Sequence, residues 1–194
     1  MKGCRPLEEA EVQATLAALD GAYATRDRAL FLLGVRSGFR ISELLSLRLM
    51  DVTRHGKPLE RVTVARKHMK KKVEGRTIVL HPEAKVALCE WLVELHALGY
   101  MTSDTFVFQS RKGRNAALSR VQAYRILQEA YERAGVGGST GTHTMRKTFA
   151  NRVYSRLNGD LIKTQKALGH RNINSTVSYL SFREEEIDEA ILGM

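Results

Sequence analysis

The sequence predicts a mainly α-helical protein with a small antiparallel β-sheet, an α+β fold. Segments with helical hydrophobic spacing, bounded by capping residues and glycines, recur along most of the 194 residues. Two short β-branched segments alternate in the way that half-buried strands do. The hydrophobic content of 43% and the absence of a Pro/Ser-rich linker predict one domain, residues 1–194, with a sizeable core.

Capping signals set the expected helix boundaries. Pro6 stands near the start of the first helix, and Thr25, Ser119 and Thr142 are expected N-caps of later ones. Gly38 is expected to end the second helix, because glycine readily adopts the left-handed conformation found past helix ends. The predicted helices cover residues 7–20, 26–37, 40–49, 83–98, 120–134, a segment from 142 onward, 160–168, 173–179 and 183–194.

A β-hairpin is predicted between the second and third long helices. Residues 61–66 (RVTVAR) and 76–80 (RTIVL) have strand chemistry, and the connection KHMKKKVEG between them is basic and ends at Gly75. We therefore expect an antiparallel pair with an extended, exposed tip. Residues 105–108 (TFVF) predict a further short extended segment.

The charge balance indicates a nucleic-acid partner. Lys and Arg total 31 against 21 Asp and Glu, a formal net charge of +10, which favours binding to an anionic polymer. No apolar run approaches the roughly 18 residues of a membrane span, and the N-terminus has no signal-peptide pattern. Cys4 and Cys89 match no zinc or disulfide motif. We expect a cytoplasmic protein without membrane association.

Residues 142–179 are the segment richest in groups that bind and cleave phosphodiesters. His143 and Arg146 are three residues apart, on one face of a helix, and a guanidinium binds phosphate through two parallel hydrogen bonds. His170 follows a helix end, and Tyr179 stands nine residues later. A tyrosine oxygen can attack phosphorus if fixed cations neutralise the charge that develops. Taken singly, each of these residues is more often part of a solvated face or of the core.

Further cations come from two other segments. Arg40 leads a short helix, where a positive charge is unfavourable unless an anion also binds there. Glu43, three residues on, is expected to cap this helix or to hold Arg40 in place. A lysine of the hairpin tip can protonate a leaving oxygen. The tip contains Lys67, Lys70, Lys71 and Lys72.

Taken together, these pieces resemble the catalytic domain of the tyrosine recombinases, the lambda-integrase family. The resemblance rests on Arg40 in SGFRISELLSL, the lysine hairpin before GRTIVL, HTMRKTFAN, LGH and the tyrosine nine residues after that histidine. It implies that Arg40 and Arg146 clamp the scissile phosphate. His143 and His170 would then hydrogen-bond the phosphate oxygens, and Tyr179 would be the nucleophile.

The resemblance also implies a general acid, a DNA partner and no metal or other cofactor. Lys70 is the expected acid for the 5′-hydroxyl, but the register of the hairpin leaves Lys71 and Lys72 open. Double-stranded DNA is the expected partner, with the protein acting as a homo-tetramer on DNA. The residues expected to contact DNA are Arg66, Lys67, Lys71, Lys72, Arg76 and Lys147.

The expected function is therefore site-specific DNA recombination or integration through a 3′-phosphotyrosyl intermediate. Two alternatives stay open at this point: a type IB topoisomerase-like relaxase, and a catalytically silent DNA-binding regulator with the same fold. The N-terminal DNA-clamping domain of the family is expected to be absent, because the chain begins almost at the catalytic domain. The tail, residues 183–194, is expected either to pass to a neighbouring protomer or to fold back in cis.

Overall fold

The computed structural model describes residues 3–64, 76–100, 102–181, 188–189 and 191–194. The chain divides into two compact units, Met1–Phe149 and Ala150–Met194. The first contains α1 Glu9–Ala18, α2 Ala24–Ser37, α3 Ile41–Leu44, α4 Leu49–Val52, β1 Thr53–Arg54, β2 Lys57–Pro58, β3 Arg61–Val64, β4 Arg76–Val79, α5 Pro82–Ala97, α6 Arg120–Arg133 and the beginning of α7 Thr142–Arg156. The second contains the end of α7, α8 Leu161–Leu168 and α9 Ile173–Val177.

This architecture confirms the predicted fold class, mainly α with small antiparallel sheets. The predicted hairpin forms, with β3 antiparallel to β4 and Val62 opposite Ile78. Its tip, residues 65–75, lies outside the described residues, and so do the calls on Arg66 and the four tip lysines. Half of the predicted tail helix, residues 183–187 and 190, lies outside them as well. None of the helices in the described ranges is both long and apolar enough to cross a membrane.

A second hairpin was not predicted. Strand β1 pairs with β2, with Thr53 opposite Pro58, and the chain reverses through His55 and Gly56. Both turn residues have positive φ, 52° and 74°, as the tight turn of a two-residue hairpin requires. Strands of two residues are too short to produce an alternating pattern, so hydrophobic periodicity does not predict them.

Several helix boundaries differ from the predicted ones. Thr25 lies inside α2, which begins at Ala24, and Thr142 is the first residue of α7 rather than its cap. Helix α9 ends at Val177, so Tyr179 lies in the turn beyond it and not within the helix. Threonine is a common capping residue, but its presence does not determine which residue first adopts helical angles.

Other predicted boundaries are confirmed. The Ser119 side chain accepts a hydrogen bond from the Gln122 N–H at 3.1 Å, and the Asp160 side chain accepts one from the Lys163 N–H at 2.8 Å. Gly38 and Gly169 follow α2 and α8 in the left-handed conformation, with φ of 66° and 61°. These caps satisfy backbone groups that a helix end leaves without an intrahelical partner.

The core of the first unit is centred on α2, which is buried along most of its length and packs against α5. Trp91 of α5 is 1% exposed, and its Nε1 donates a hydrogen bond to the Val107 carbonyl oxygen at 2.7 Å. That bond satisfies the one polar atom of the indole and joins α5 to the extended segment 105–108. The long helices therefore provide a rigid support for the loop after α2.

Two glycines allow α7 to approach α2 closely. A Cβ placed on Gly34 would lie 2.6 Å from Met145 Sδ and 2.8 Å from Met145 Cβ. A Cβ on Gly38 would lie 2.3 Å from the ring of Phe149. Since Gly34 and Gly38 are four residues apart, as are Met145 and Phe149, the two helices meet along matching rows. This contact places the residue after Met145, Arg146, beside the loop that follows α2.

We expect the Gly34→Val variant to be destabilised by about 1–3 kcal/mol, the usual cost of overpacking a tight contact. The added side chain would meet Met145 Cβ, which cannot move without a shift of the α7 backbone. Urea unfolding of this variant beside Gly137→Val measures the effect, because a Cβ at Gly137 has no heavy atom within 4 Å. Equal unfolding midpoints for the two variants would contradict the close α2–α7 contact.

Candidate active site

Arg40 is held by Glu43 in the short loop and helix that follow α2. The Arg40 N–H donates to Glu43 Oε2 at 2.7 Å, and Arg40 Nη1 donates to Glu43 Oε1 at 2.7 Å. Glu43 thus caps α3 and orients the guanidinium at the same time, as the sequence predicted. The Arg40 side chain remains 30% exposed, so part of it is accessible to a ligand.

Arg76 reaches the same loop from the first residue of β4. Its Nη2 donates to the Gly38 carbonyl oxygen at 2.9 Å and to Glu43 Oε2 at 3.2 Å. Burial by itself raises the pKa of Glu43, but the charge of Arg76 and the hydrogen bonds and charge of Arg40 outweigh it, so the pKa lies below its ordinary value. Glu43 is therefore an ionised carboxylate between two guanidinium groups.

Arg146 approaches this loop from α7. It is 1% exposed, and its Nη1 also donates to the Gly38 carbonyl oxygen. Arg40 and Arg146 are far apart in sequence, yet both side chains are fixed by residues 38–43. The left-handed turn at Gly38 makes this possible, because it ends α2 and exposes the Gly38 carbonyl to the guanidinium groups of Arg146 and Arg76, while Glu43 in the same loop holds Arg40.

His143 is exposed on the first turn of α7, three residues before Arg146. Desolvation lowers its pKa, and the positive charges of four neighbours lower it further: Arg146, Lys147, Arg40 and Arg120. The imidazole is accordingly neutral at physiological pH, with one nitrogen that accepts and one that donates a hydrogen bond. A neutral imidazole in a cluster of fixed cations is suited to moving a proton.

The second unit brings His170 and Tyr179 together. Their ring centroids are 5.2 Å apart, with an interplanar angle of 57°. His170 Nδ1 lies 3.0 Å from Thr176 Oγ1, and the backbone of His170 is bonded to Gln165 at the end of α8. The imidazole orientation is therefore set by both α8 and α9. Tyr179 is half-buried, which leaves part of its side chain accessible.

Asn151 supports the turn that carries Tyr179. Its Nδ2 donates to the Tyr179 carbonyl oxygen at 3.0 Å, and its Oδ1 accepts from the Ser181 N–H at 2.9 Å. One amide side chain thus binds both ends of a three-residue segment. This role of Asn151 was not predicted, although Asn151 lies within the HTMRKTFAN motif and an asparagine inside a helix is a recognisable signal.

No group of three or more potential metal ligands among His, Cys, Asp and Glu occurs within the described ranges.

Lys147 is half-buried on α7. The structure thus places Arg40, Arg76, His143 and Arg146 in the first unit, with His170 and Tyr179 in the second. The positions of Lys70, Lys71 and Lys72 fall within the undescribed hairpin tip.

The phage integrase family model matches residues 5–186, which is nearly the whole chain. The chain belongs to the phage integrase family. This integrase is 32% identical to the probable integrase/recombinase YoeC of Bacillus subtilis over 160 residues, covering 82% of this chain and 80% of YoeC. It is 35% identical to the type 1 fimbriae regulatory protein FimE of Escherichia coli over 179 residues, covering 90% of this chain and 84% of FimE. The predicted resemblance to the tyrosine recombinases is confirmed.

A solved structure supports the same assignment. The integrase superimposes on XerH, a site-specific recombinase bound to a palindromic difH substrate in a post-cleavage complex, with a TM-score of 0.75 and 27% identity. The match covers 96% of this chain and 51% of that one, so the integrase spans about half the length of XerH. The α+β fold described above is thus that of a tyrosine recombinase catalytic domain.

We expect the integrase to lose stability at acid pH partly through His143. Its folded-state pKa lies below the ordinary value of about 6.5, so the unfolded chain binds the proton more readily. The free energy of unfolding then falls as pH decreases through this range. Urea midpoints at neutral pH and about pH 5.5 should differ less in His143→Gln than in the wild type. The control is His96→Gln, on the exposed side of α5. An equal loss of stability at acid pH in the wild type and in both variants would contradict the lowered pKa of His143.

Proposed function

We propose that this integrase is a site-specific DNA recombinase that cleaves and rejoins DNA through a 3′-phosphotyrosyl intermediate. The observation that carries the proposal is the fixing of Arg40 and Arg146 at one loop. Glu43 orients the first guanidinium, and the Gly38 carbonyl anchors the second. Two guanidinium groups held in place before substrate arrives are suited to a phosphate, because no reorganisation is needed when its charge increases.

In the proposed reaction, the Tyr179 phenol oxygen attacks the scissile phosphorus, and the phenol proton passes to a histidine imidazole of the site. A bond forms between that oxygen and phosphorus, and the bond from phosphorus to the 5′ oxygen breaks. The 5′-hydroxyl leaves with a proton from a hairpin lysine, for which Lys70 is our first choice and Lys71 and Lys72 are the alternatives. Attack by a second 5′-hydroxyl reverses the step. One ester replaces another throughout, so no external energy source is required.

The remaining groups have assigned parts in this scheme. Arg40 and Arg146 stabilise the negative charge that develops on the nonbridging oxygens in the transition state. His143, neutral at physiological pH, is proposed to hydrogen-bond an oxygen and to assist proton transfer. His170 is proposed to bond phosphate through Nε2, which is compatible with the contact between its Nδ1 and Thr176. Asn151 fixes the backbone on which Tyr179 is presented.

Double-stranded DNA is the proposed partner, by likeness to XerH, whose structure contains a DNA substrate. The excess of positive charge, +10, supports binding along the phosphate backbone. We propose that further basic residues contribute to this binding: Lys147 on α7 and the hairpin residues Arg66, Lys67, Lys71 and Lys72. We further propose that residues 1–194 act as one catalytic domain, that four copies assemble on two DNA sites, and that the protein acts in the cytoplasm.

A suicide-substrate selection tests this function without knowledge of the target site. The protein is incubated with duplexes whose arms have randomised sequence and that carry a nick beside the cleavage position. Because of the nick, cleavage releases a short 5′-hydroxyl fragment that diffuses away, and the covalent complex accumulates. Complexes that resist SDS are recovered, and their DNA is sequenced. We expect such complexes to form and to be enriched in one inverted-repeat sequence.

Each alternative function gives a different outcome in this selection. A topoisomerase-like relaxase would form complexes without sequence enrichment and would relax supercoiled plasmid. A silent regulator would bind DNA in a salt-dependent manner but form no covalent complex. Absence of covalent complexes in a preparation that binds DNA would contradict the proposed function.

A further inference from the structure

Arg76 stands at the base of the lysine hairpin but does not face the hairpin surface. It is the first residue of β4, opposite Val64 of β3. Its side chain is 8% exposed, whereas Arg61 on the neighbouring strand is exposed to solvent. An arginine that binds the DNA backbone needs a guanidinium accessible to phosphate. The burial of Arg76 therefore argues against the DNA contact expected from the sequence.

The Arg76 guanidinium contacts both groups that hold the two catalytic arginines. It donates to Glu43 Oε2 at 3.2 Å, the oxygen that also accepts the Arg40 N–H. It donates to the Gly38 carbonyl at 2.9 Å, the oxygen that also accepts from Arg146 Nη1. One side chain thus connects β4, the loop after α2 and, through that loop, α7.

We propose that Arg76 is a positioning residue for DNA cleavage, which holds Glu43 and Gly38 so that Arg40 and Arg146 are correctly placed. The proposal rests on the proposed recombinase function. It also gives β4 a part in the reaction. This strand follows the lysine segment, and its first residue, Arg76, binds it to Glu43 and Gly38. Both contacts come from one nitrogen, Nη2, which the arginine side chain places one bond further from the backbone than a lysine side chain would place its ammonium.

Loss of the Arg76 side chain removes one of the contacts that hold the Glu43 carboxylate in place. Among the described residues, the charged groups paired with the Glu43 carboxylate are Arg40, at the start of its own helix, and Arg76, from β4. Without Arg76, the carboxylate keeps its contacts with Arg40, but the pair can move relative to Gly38 and Arg146. A displacement of about 1 Å in a reacting group can lower the rate about 100-fold. The effect is expected on the rate of cleavage and not on DNA affinity.

The test compares Arg76→Gln with Arg61→Gln, a matched variant that removes one exposed positive charge from the same hairpin. Cleavage is measured in single turnover at saturating suicide substrate, using the sequence enriched in the selection. DNA affinity and its salt dependence are measured in a Tyr179→Phe background, where no covalent complex should form. We expect Arg76→Gln to cleave about 10- to 100-fold more slowly than the wild type, with DNA affinity no weaker than that of Arg61→Gln.

Two further readouts separate positioning from general structural damage. Because Arg76 acts partly through Glu43, the fold-loss in cleavage rate of the double variant Arg76→Gln/Glu43→Gln should be smaller than the product of the fold-losses of the two single variants. The second readout is the pH profile, because removal of Arg76 takes away the strongest charge that lowers the pKa of Glu43. Cleavage by Arg76→Gln should therefore begin to fall at a higher pH than that of the wild type as the medium is acidified, since a protonated Glu43 no longer holds Arg40.

Opposite results would overturn the proposal. A phosphate contact predicts weaker DNA binding, a salt slope reduced by about 1 and an unchanged rate at saturating DNA. Independent additive effects of Arg76 and Glu43 would also exclude it. If Arg76→Gln does not fold, Arg76→Lys takes its place, with the same criteria for rate and affinity. Failure of the wild type to form any covalent complex would refute the proposed function instead, so the two failures are distinguishable.

Discussion

The Tyr179→Phe variant is expected to form no covalent complex with DNA while still binding it. Phenylalanine lacks the phenol oxygen that attacks phosphorus, so the phosphotyrosyl bond cannot form. The ring itself is retained, and with it the contact with His170 at 5.2 Å between centroids. Asn151 donates to the Tyr179 backbone carbonyl, which the substitution retains, so the supporting turn is expected to be preserved. The measurement is SDS-resistant adduct on the enriched suicide substrate, with DNA affinity measured in parallel.

Tyr154→Phe is the matched control for this experiment. Tyr154 lies on α7 in the same unit as Tyr179, and the substitution removes the same hydroxyl group. We expect it to form the adduct at close to the wild-type rate. Adduct that persists in Tyr179→Phe, or a phosphotyrosyl peptide that maps to another tyrosine, would show that the nucleophile is wrongly assigned.

The Arg146→Lys variant is expected to cleave DNA about 100- to 1000-fold more slowly, a loss typical of removing one preorganised group that stabilises a developing oxyanion. Lysine keeps the positive charge but not the planar fork, so it cannot bind the Gly38 carbonyl and a phosphate oxygen with the same geometry. Because one charge is retained, DNA affinity should change little. Single-turnover cleavage at saturating DNA measures the expected effect directly.

The control for this variant is Arg156→Lys. Arg156 is in the last turn of α7 and is exposed, whereas Arg146 is 1% exposed. The same chemical change is thus made on the same helix at a solvated position, and we expect a near wild-type rate. Thermal unfolding of both variants shows whether a slow rate reflects loss of fold. A folded Arg146→Lys protein with a wild-type cleavage rate would contradict the proposed phosphate clamp.

Local chemistry explains why much of the architecture was predictable. Four helix ends follow from the backbone and side-chain preferences of single residues, which act over only a few positions along the chain. These residues are Ser119, Asp160, Gly38 and Gly169. The β3–β4 hairpin likewise follows from alternating β-branched residues on each strand. The candidate catalytic residues were predictable for a different reason, since the family resemblance depends on residue type and spacing alone. In chain order, these residues are Arg40, His143, Arg146, His170 and Tyr179.

Long-range contacts explain what was not predictable. Alternation along β4 assigns Arg76 to one face of a strand, but it does not reveal that Glu43 and Gly38 cover that face. Similarly, the role of Asn151 depends on a turn 28 residues further along the chain. The choice of Lys70 over Lys71 and Lys72 as the proposed acid stays a prediction from the sequence, because residues 65–75 lie outside the described ones.

Residue types and their spacing were sufficient to predict the fold class, the family and the candidate catalytic residues. Those features arise from local conformational preferences and from residue types in a fixed order. The folded chain was needed to show that the Gly38 carbonyl joins Arg76 to Arg146 and that Glu43 joins Arg76 to Arg40. The physical reason is that a guanidinium binds whichever acceptors the folded chain brings within about 3 Å. The close α2–α7 contact, which Gly34 and Gly38 permit, brings Arg146 within reach of that carbonyl.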